Sequence, residues 1–547
     1  MKRLATLALA SLACVSLAQP APRKPKLIVM ISIDQFRADY VTRFASNFLP
    51  ARSGGKVGGF RFLTESGAWF RDAHHNHIPT ATGPGHATLL SGSEPGIDGI
   101  VGNDWFDRAT GKPMYCVDDK SVETVGGTSS PMSPRNLKTT TLGDELKMAT
   151  NGRAKVVSLA LKDRAAILMA GHAADQVVWF DNNTGNWVTS TWYARQLPGW
   201  AEGVNRDRLV DKAYGTSWEP LLDAKAYDLA RKAPAEKPAA NGKLFSWPLG
   251  VAGGKADKAY WGALWTSHWG NEFVEQSAER ALDTEKLGQR DVSDLLIVGF
   301  SSNDYIGHRF GPNSPEVMDA TVRTDRLLSQ LFTAIDRKVG LDNAVIVLSG
   351  DHGVLPIPEE ESGVYRSPST RYLSSVVKPV REALNAAFGE GDWLLGAGIY
   401  EQNLYINRET AAAKKVRMED VERVAAEAAM KQPGVFLALT RTQLLNGQVP
   451  AYPFISRVVN GFSPTLGGDV MVVEAPGAYF GAGTGTGHGS AWDYDSHVPI
   501  IFRGAGISRG VFTRRVATAD IAPTLAHLLG IELPSGNVGR VLGEAIR

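Results

Sequence analysis

Five short runs of the chain are almost unbroken strings of branched apolar residues: "KLIVMISID" (26–34), "AKVVSLAL" (154–161), "DLLIVGFSS" (294–302), "NAVIVLSGDHG" (343–353) and "HVPIIFRG" (497–504). A strand that is apolar on both faces belongs inside a sheet covered on both sides. Between these runs lie segments with helical periodicity: "TTLGDELKMA" (140–149), "EFVEQSAERALDTEKL" (272–287) and "MDATVRTDRLLSQLFTAIDRKV" (318–339). Strands alternating with helices predict an α/β fold, a three-layer α/β/α sandwich around a mostly parallel central sheet. In such a sheet, reactive residues collect in loops beyond the carboxyl ends of the strands.

Two stretches break the alternation. Residues 181–265 are rich in Trp, Asn, Pro and Lys and include "RKAPAEKPAANGK". Residues 360–480 hold one amphipathic helix, "MEDVERVAAEAAMKQ", amid short strands. Both are read as insertions that cover or flank the sheet of one catalytic domain, residues 19–547. The first eighteen residues, "MKRLATLALASLACVSLA", have a Lys-Arg start, a short apolar run and small residues at Ser16 and Ala18. They predict a signal peptide cleaved after Ala18 and export to the periplasm. "SLAC" (Ser11–Cys14) faintly resembles a lipoprotein box but lacks the usual aliphatic residue at its start, so a lipoprotein is the weaker reading. No later run approaches the ~20 apolar residues of a membrane span. Of the two cysteines only Cys116 survives cleavage, which excludes an internal disulfide. A formal net charge of +1 gives no reason to expect nucleic acid or an anionic membrane as a partner. The chain is read as a monomer whose attraction for anions is local.

The strand ends carry the chemistry. Asp34 closes the first run, Asp304 and His308 follow the third in "SSNDYIGH", and Asp351 and His352 close the fourth. His488 sits in "GAGTGTGHGS", just before the last run. A single Asp after a strand is ordinarily a turn former or helix cap. Three carboxylates and three imidazoles at strand termini instead make a ligand set for two divalent cations. Mixed Asp/His ligation suits zinc, with roughly three protein ligands per ion and a position left open. The glycine-rich loop lacks the Lys-Ser/Thr ending of a phosphate-binding P-loop. "HHNH" (His74–His77) is read as structural or surface, and His86 and His497 as structural, buried and hydrogen-bonded. In "IPTATGPGHATLLSG" (78–92), Thr80 and Thr82 precede a Gly-Pro-Gly turn and a helix-like run. Thr is a common N-cap; the sharper reading is a hydroxyl held at a helix N-terminus to attack an anion. Lys162 and Arg164 stand two apart at the end of a strand and should project to one side. Taken alone, they read as a solvated basic pair.

In order and spacing these residues resemble the alkaline phosphatase superfamily. "PTATGPGHATLLSGSEPGIDGIVGN" is similar to the nucleophile segment of its phosphatases and of the nucleotide pyrophosphatase/phosphodiesterases, and "TADIAPTLAHLLGIELPSG" to its closing helix. The likeness runs from about Lys26 to Leu542 and thins in the two insertions. It implies that Thr82, two before the proline, is the nucleophile and that Thr80 is not. Gly-Pro-Gly would bend the chain so that Thr82 meets a metal. The resemblance assigns Asp34, Asp351 and His352, with the Thr82 oxygen, to one zinc ion, and Asp304, His308 and His488 to a second. It gives Asn103, closing "GIVGN", a phosphoryl oxygen to donate to. "LKDRAAILMAGH" resembles the stretch of periplasmic monoesterases in which a Lys/Arg pair replaces a third metal, so Lys162 and Arg164 would contact the remaining phosphoryl oxygens. The sulfatase pattern C-x-P-x-R is absent, with Thr in its slot. What the resemblance implies is a secreted two-zinc alkaline phosphatase. It would hydrolyse phosphate monoesters of broad range through a phosphothreonine and release inorganic phosphate. The alternatives are a phosphodiesterase or nucleotide pyrophosphatase on the same scaffold, and a non-catalytic phosphate-binding or interaction protein. The intact nucleophile and ligand set argue against the last.

Overall fold

A computed structural model describes residues 24–230, 243–251, 253–359 and 369–547. The expected signal peptide (1–18), most of "RKAPAEKPAANGK" and the start of the second insertion (360–368) lie outside the described residues. Apart from the two-residue strands Thr124–Val125 and Val516–Ala517 at its margins, the strands of the eleven-stranded central sheet are, in chain order, β1 (Leu27–Ile33), β2 (Ala68–His74), β3 (Val156–Ala160), β4 (Gln176–Asp181) and β5 (Asn186–Ser190). They continue with β6 (Asp294–Phe300), β7 (Ala344–Ser349), β8 (His497–Gly504) and β9 (Gly510–Phe512). Across the sheet they run β9–β2–β8–β7–β1–β6–β3–β4–β5.

The middle of the sheet, β7–β1–β6–β3–β4, is parallel throughout. Both flanks are not: β8 is antiparallel to β7 and to β2, and β5 is antiparallel to β4. The sheet is therefore mixed, and the fifth apolar run is the one that departs from the expected direction. Its reason is local. The loop carrying His488 lies at the carboxyl edge of the parallel strands, so β8 starts at that edge and must run back down. β5 also extends the central sheet from within a stretch read as insertion, because the short turn after Asp181 folds Asn186–Ser190 back onto β4.

Burial on two faces is visible residue by residue along β1. Leu27, Val29, Ile31 and Ile33 pack in one cluster with helices α4 (His268–Thr284) and α6 (Pro315–Lys338), while Ile28 and Met30 enter another. That second cluster contains side chains of α1 (Thr82–Ser91), α3 (Asp163–Ala170) and α7 (Ile521–Leu529). Helix starts follow their caps. α2 (Leu142–Ala149) opens on a Thr141/Asp144 capping box, and α6 opens on Ser314, whose hydroxyl accepts the Val317 N–H, with Pro315 next.

Residues 394–474 form a separate four-stranded sheet in the order Leu394–Tyr400, Asn403–Ile406, Val470–Glu474, Val435–Thr440. Its cover includes the expected helix, Met418–Met430, and a second long one, Val377–Phe388. The sequence reading had only the first. Pro379 in "VVKPVREALNAAF" reads as a breaker, but it falls in the first turn, where its missing N–H has no partner to lose. Among the described residues no helix is long and apolar enough to cross a membrane.

Candidate active site

Four neighbouring parallel strands, β7, β1, β6 and β3, end on one edge, and each releases a charged residue there. Asp34 follows β1, Asp351 and His352 follow β7, Lys162 follows β3, and Asp304 lies in the first turn of α5 (Ser302–Phe310), directly after β6. Neighbouring strands lie about 4.8 Å apart, so residues far apart in sequence meet at hydrogen-bonding distance. Gln35 ties the edge together. Its backbone N–H donates to Asp351 Oδ1 at 3.0 Å and its Nε2 to Asp304 Oδ1 at 2.6 Å. It does so from a left-handed backbone, φ 58°. The sequence reading missed Gln35, since a glutamine after an Asp carries no motif.

Thr82 is the first residue of α1; the cap is Ala81, without a side-chain hydrogen bond, so the N-cap explanation for Thr82 does not hold. Its buried Oγ1 accepts from Lys162 Nζ at 3.2 Å and Arg164 Nη2 at 3.3 Å and lies 3.4 Å from His352 Nε2. Thr80 faces away, its hydroxyl donating to the Ser490 carbonyl at 2.9 Å. Gly-Pro-Gly does not bend the chain: Gly83, Pro84 and Gly85 are already helical, the proline sitting where a first-turn N–H is free. The glycine matters for approach instead. A Cβ on Gly85 would stand 2.0 Å from the Asp351 carbonyl oxygen. Gly85→Ala is therefore expected to cost about 1–3 kcal/mol of stability by overpacking and to push Thr82 off the strand ends. A thermal melt and a turnover assay on the same preparation check both.

Ligand atoms of Asp34, Asp351 and His352 lie within 4.8 Å of one another, as do those of Asp304, His352 and His488. His308 Nε2 is 3.1 Å from Asp304 Oδ1. The outer nitrogens of the three rings are all engaged. Nδ1 of His352, His308 and His488 faces the carbonyl oxygens of Gly353, Thr486 and Thr80 at 2.9, 2.7 and 2.8 Å. That places the proton on each Nδ1 and leaves each Nε2 bare toward the centre, the arrangement of a metal-ligating histidine. Burial lowers the pKa of His352 and of His488, favouring the neutral form that ligates. Among the described residues, neither oxygen of Asp34 nor Oδ2 of Asp351 makes a well-formed hydrogen bond, although all are buried. Burial and the Asp351 carboxylate push the Asp34 carboxyl well above its usual range, a penalty that a bound dication removes. The donor set fits divalent metal. Gly485, at φ 87°, lets the glycine loop press against the His308 carbonyl; a Cβ there would lie 2.2 Å from that oxygen.

Lys162 and Arg164 do reach one point, but not as strand residues. β3 ends at Ala160, Lys162 caps α3 and Arg164 lies in its first turn. Nor are they a solvated pair. The Lys162 side chain is fully buried and bridges the two carboxylate sets, Nζ lying 2.6 Å from Asp304 Oδ2 and 2.9 Å from Asp34 Oδ2. Arg164 Nη1 donates to Tyr115 Oη at 3.1 Å, while its Nε–H has no hydrogen-bond partner among the described residues. Asn103 Oδ1 accepts the Gly83 N–H at 2.8 Å, which sets the amide at the start of α1 and leaves Nδ2 without a hydrogen-bond partner among the described residues. The site is graded in depth. Asp34, Asp351, His352 and Thr82 are buried, whereas Asn103, Arg164, His308 and His488 are half-buried at its mouth.

The other histidines stand apart from this centre, His86 excepted. His86 is buried and bonded to Ser32 Oγ and the Thr82 carbonyl, and its Nδ1 lies 3.1 Å from Asp351 Oδ2, which holds the helix start against β7. Two histidines of "HHNH" have carboxylate partners: His74 meets Asp72 at 2.8 Å and His77 meets Glu94 at 2.7 Å. His74 also stacks on His497 across the β2–β8 pair, but Arg457 Nη2 lies 3.3 Å from its Nδ1, so the local cation is an arginine. His497 is half-buried, not buried as expected, since it stands at the exposed start of β8, where its Nε2 bonds the Arg71 carbonyl.

The chain belongs to the type I phosphodiesterase/nucleotide pyrophosphatase family, the match spanning residues 28–495. Within that class it is 36% identical to the alkaline phosphatase PafA of Elizabethkingia meningoseptica over 531 residues, 96% of this chain and 95% of that protein. It is also 36% identical to the alkaline phosphatase PhoV of Synechococcus elongatus, over 96% of this chain and 93% of that one. The crystal structure of wild-type PafA superposes with a TM-score of 0.86 at 34% identity, covering 96% of this chain and 99% of PafA. The central sheet with its flanking helices is thus the alkaline phosphatase fold.

Proposed function

We propose that the protein is a secreted, periplasmic, monomeric alkaline phosphatase. It hydrolyses phosphate monoesters of broad range through a phosphothreonine on Thr82. One observation carries the reading: a single buried hydroxyl at a helix N-terminus receives two cationic donors and faces two carboxylate–imidazole sets. Similarity over the whole chain to named alkaline phosphatases supports the monoester class.

Asp34, Asp351 and His352 would hold one zinc ion, and Asp304, His308 and His488 the other. When bound, such a pair supplies Lewis-acid stabilisation to the attacking and departing oxygens of an in-line displacement. Lys162 and Arg164 donate to Thr82 Oγ1 and so favour its alkoxide, the form that attacks phosphorus. The alkoxide forms the new P–O bond as the ester P–O bond breaks on the opposite face. That face is the half-buried His308/His488 side, where the departing alkoxide takes a proton from solvent water and leaves as the alcohol. Asn103 Nδ2 and the cationic pair hold the non-bridging oxygens, and the N-terminus of α1 favours the anion. Water entering from the same open side then displaces Thr82 and releases inorganic phosphate.

Stripping the purified protein with a chelator should abolish p-nitrophenyl phosphate hydrolysis, zinc should restore it, and elemental analysis should find about two zinc ions per chain. Full activity in the metal-free sample would overturn the two-metal reading, and no activity in the zinc-loaded one would favour a non-catalytic binder.

A further inference from the structure

Asn103 enters the site from a loop, and a loop amide is a poor tool unless something fixes it. Three of its four hydrogen-bonding groups are fixed. Oδ1 accepts from Gly83, the backbone carbonyl accepts the Cys116 N–H at 2.9 Å, and the backbone N–H donates to Glu401 Oε1 at 3.2 Å. Glu401 comes from the other sheet. It occupies the turn between Leu394–Tyr400 and Asn403–Ile406 and holds a left-handed φ of 48° to aim its side chain at Asn103. The approach is close: a Cβ on Gly102 would lie 2.9 Å from Glu401 Cγ. The next residue, Gln402, reaches the opposite wall. A Cβ on Gly489, beside His488, would stand 2.8 Å from its Nε2.

The turn is anchored and not a loose tip. Tyr400 packs against Phe106 in the hairpin that follows Asn103. Arg108 of that hairpin donates to the Ile406 carbonyl at 3.0 Å and pairs with the buried Asp469. Burial raises the Glu401 carboxyl to about 6, the Asn103 N–H opposing that rise, so at alkaline pH it is a charged acceptor. A left-handed non-glycine residue that ends on the backbone of one reactive residue, within a docked turn, is more than packing requires.

We infer that Glu401 is a positioning residue for catalysis, through which the small sheet sets the placement of Asn103 Nδ2 against the phosphoryl group. The inference rests on the phosphoryl role proposed for Asn103. Glu401 holds the backbone N–H of Asn103, so a positioning effect must pass through Asn103, and a double-mutant cycle reads that dependence. On the zinc-loaded enzyme, Glu401→Ala should lower monoester kcat/KM about 10-fold. Glu401→Gln retains an acceptor oxygen and the packing on Gly102, and should stay within about threefold of the native rate. In an Asn103→Ala background, Glu401→Ala should cost less than about twofold. A Glu401→Ala penalty as large without Asn103 as with it would overturn the inference, leaving the role of Asn103 intact. So would a Glu401→Gln enzyme as slow as Glu401→Ala. An Asn103→Ala enzyme as fast as the native one would instead remove the phosphoryl role of Asn103, and the inference with it. Zinc content and melting temperature of each variant separate these outcomes from misfolding.

Discussion

Thr82→Ala is expected to lower monoester turnover by roughly four orders of magnitude, the scale on which a covalent nucleophile is lost, while the fold and zinc content persist. The substitution removes one oxygen that accepts from Lys162 and Arg164 and deletes nothing that supports the sheet. Thr82→Ser keeps that oxygen and should keep most of the rate. Thr80→Ala is the informative control, because its hydroxyl bonds the Ser490 carbonyl and its loss should cost only about 1 kcal/mol of stability. Its carbonyl, which orients His488, is untouched by the change. Native enzyme quenched in acid during turnover should carry phosphate on the peptide containing Thr82. Phosphate on Thr80, or an active Thr82→Ala enzyme, would sink the assignment.

The parallel centre of the sheet was legible because burial on both faces leaves a continuous apolar run. All five runs are strands, and the candidate ligands Asp34, Asp304, Asp351 and His352 stand just past the ends of three of them. What the sequence concealed is what depends on direction and neighbours. "HVPIIFRG" is as apolar as the parallel strands, and nothing in its residues says that it enters from the other end. "AWFRDAH" became β2 although Arg71 is exposed and Asp72 half-buried, since the strand bulges there and both residues stand opposite the single Pro499 of β8.

The same limit applied to the site. Residues that would act by their own chemistry, such as the three Asp and three His proposed to hold metal, stand out by type. Gln35 and Glu401 act through whom they touch, and only the fold supplies their partners. Even Lys162 was placed for the wrong local reason. A pair two apart on a strand shares a side, yet here the chain turns into α3 between them, and the helix start carries Arg164 toward Thr82. The unpaired Arg164 Nε–H and the Lys162 ammonium are the features that a solvated pair would not have.

In the proposed mechanism that pair sets the preference for monoesters, and the test on it should be large. A phosphate monoester is dianionic above pH ~6, with three non-bridging oxygens to satisfy. Asn103 supplies one neutral donor, so most of the remaining charge falls to Lys162 and Arg164. A diester carries one negative charge less, and its second substituent needs the space that the pair occupies. Each charge-assisted hydrogen bond contributes about 1.5–3 kcal/mol, or about one to two decades of rate when expressed in the transition state. Lys162→Ala combined with Arg164→Ala should therefore lower monoester kcat/KM by about two to four decades and bis-p-nitrophenyl phosphate hydrolysis far less. Lys162 also separates Asp34 from Asp304, so its loss brings two ligand carboxylates into direct repulsion, and zinc content must be measured alongside. Arg164→Ala alone escapes that complication, because the guanidinium contacts Thr82 and Tyr115 but neither of those carboxylates. It should by itself cost the monoester about one to two decades with two zinc ions retained. A native enzyme that prefers the diester, or an Arg164→Ala enzyme that loses both activities equally at full zinc content, would show that the pair serves the scaffold and not the third phosphoryl oxygen.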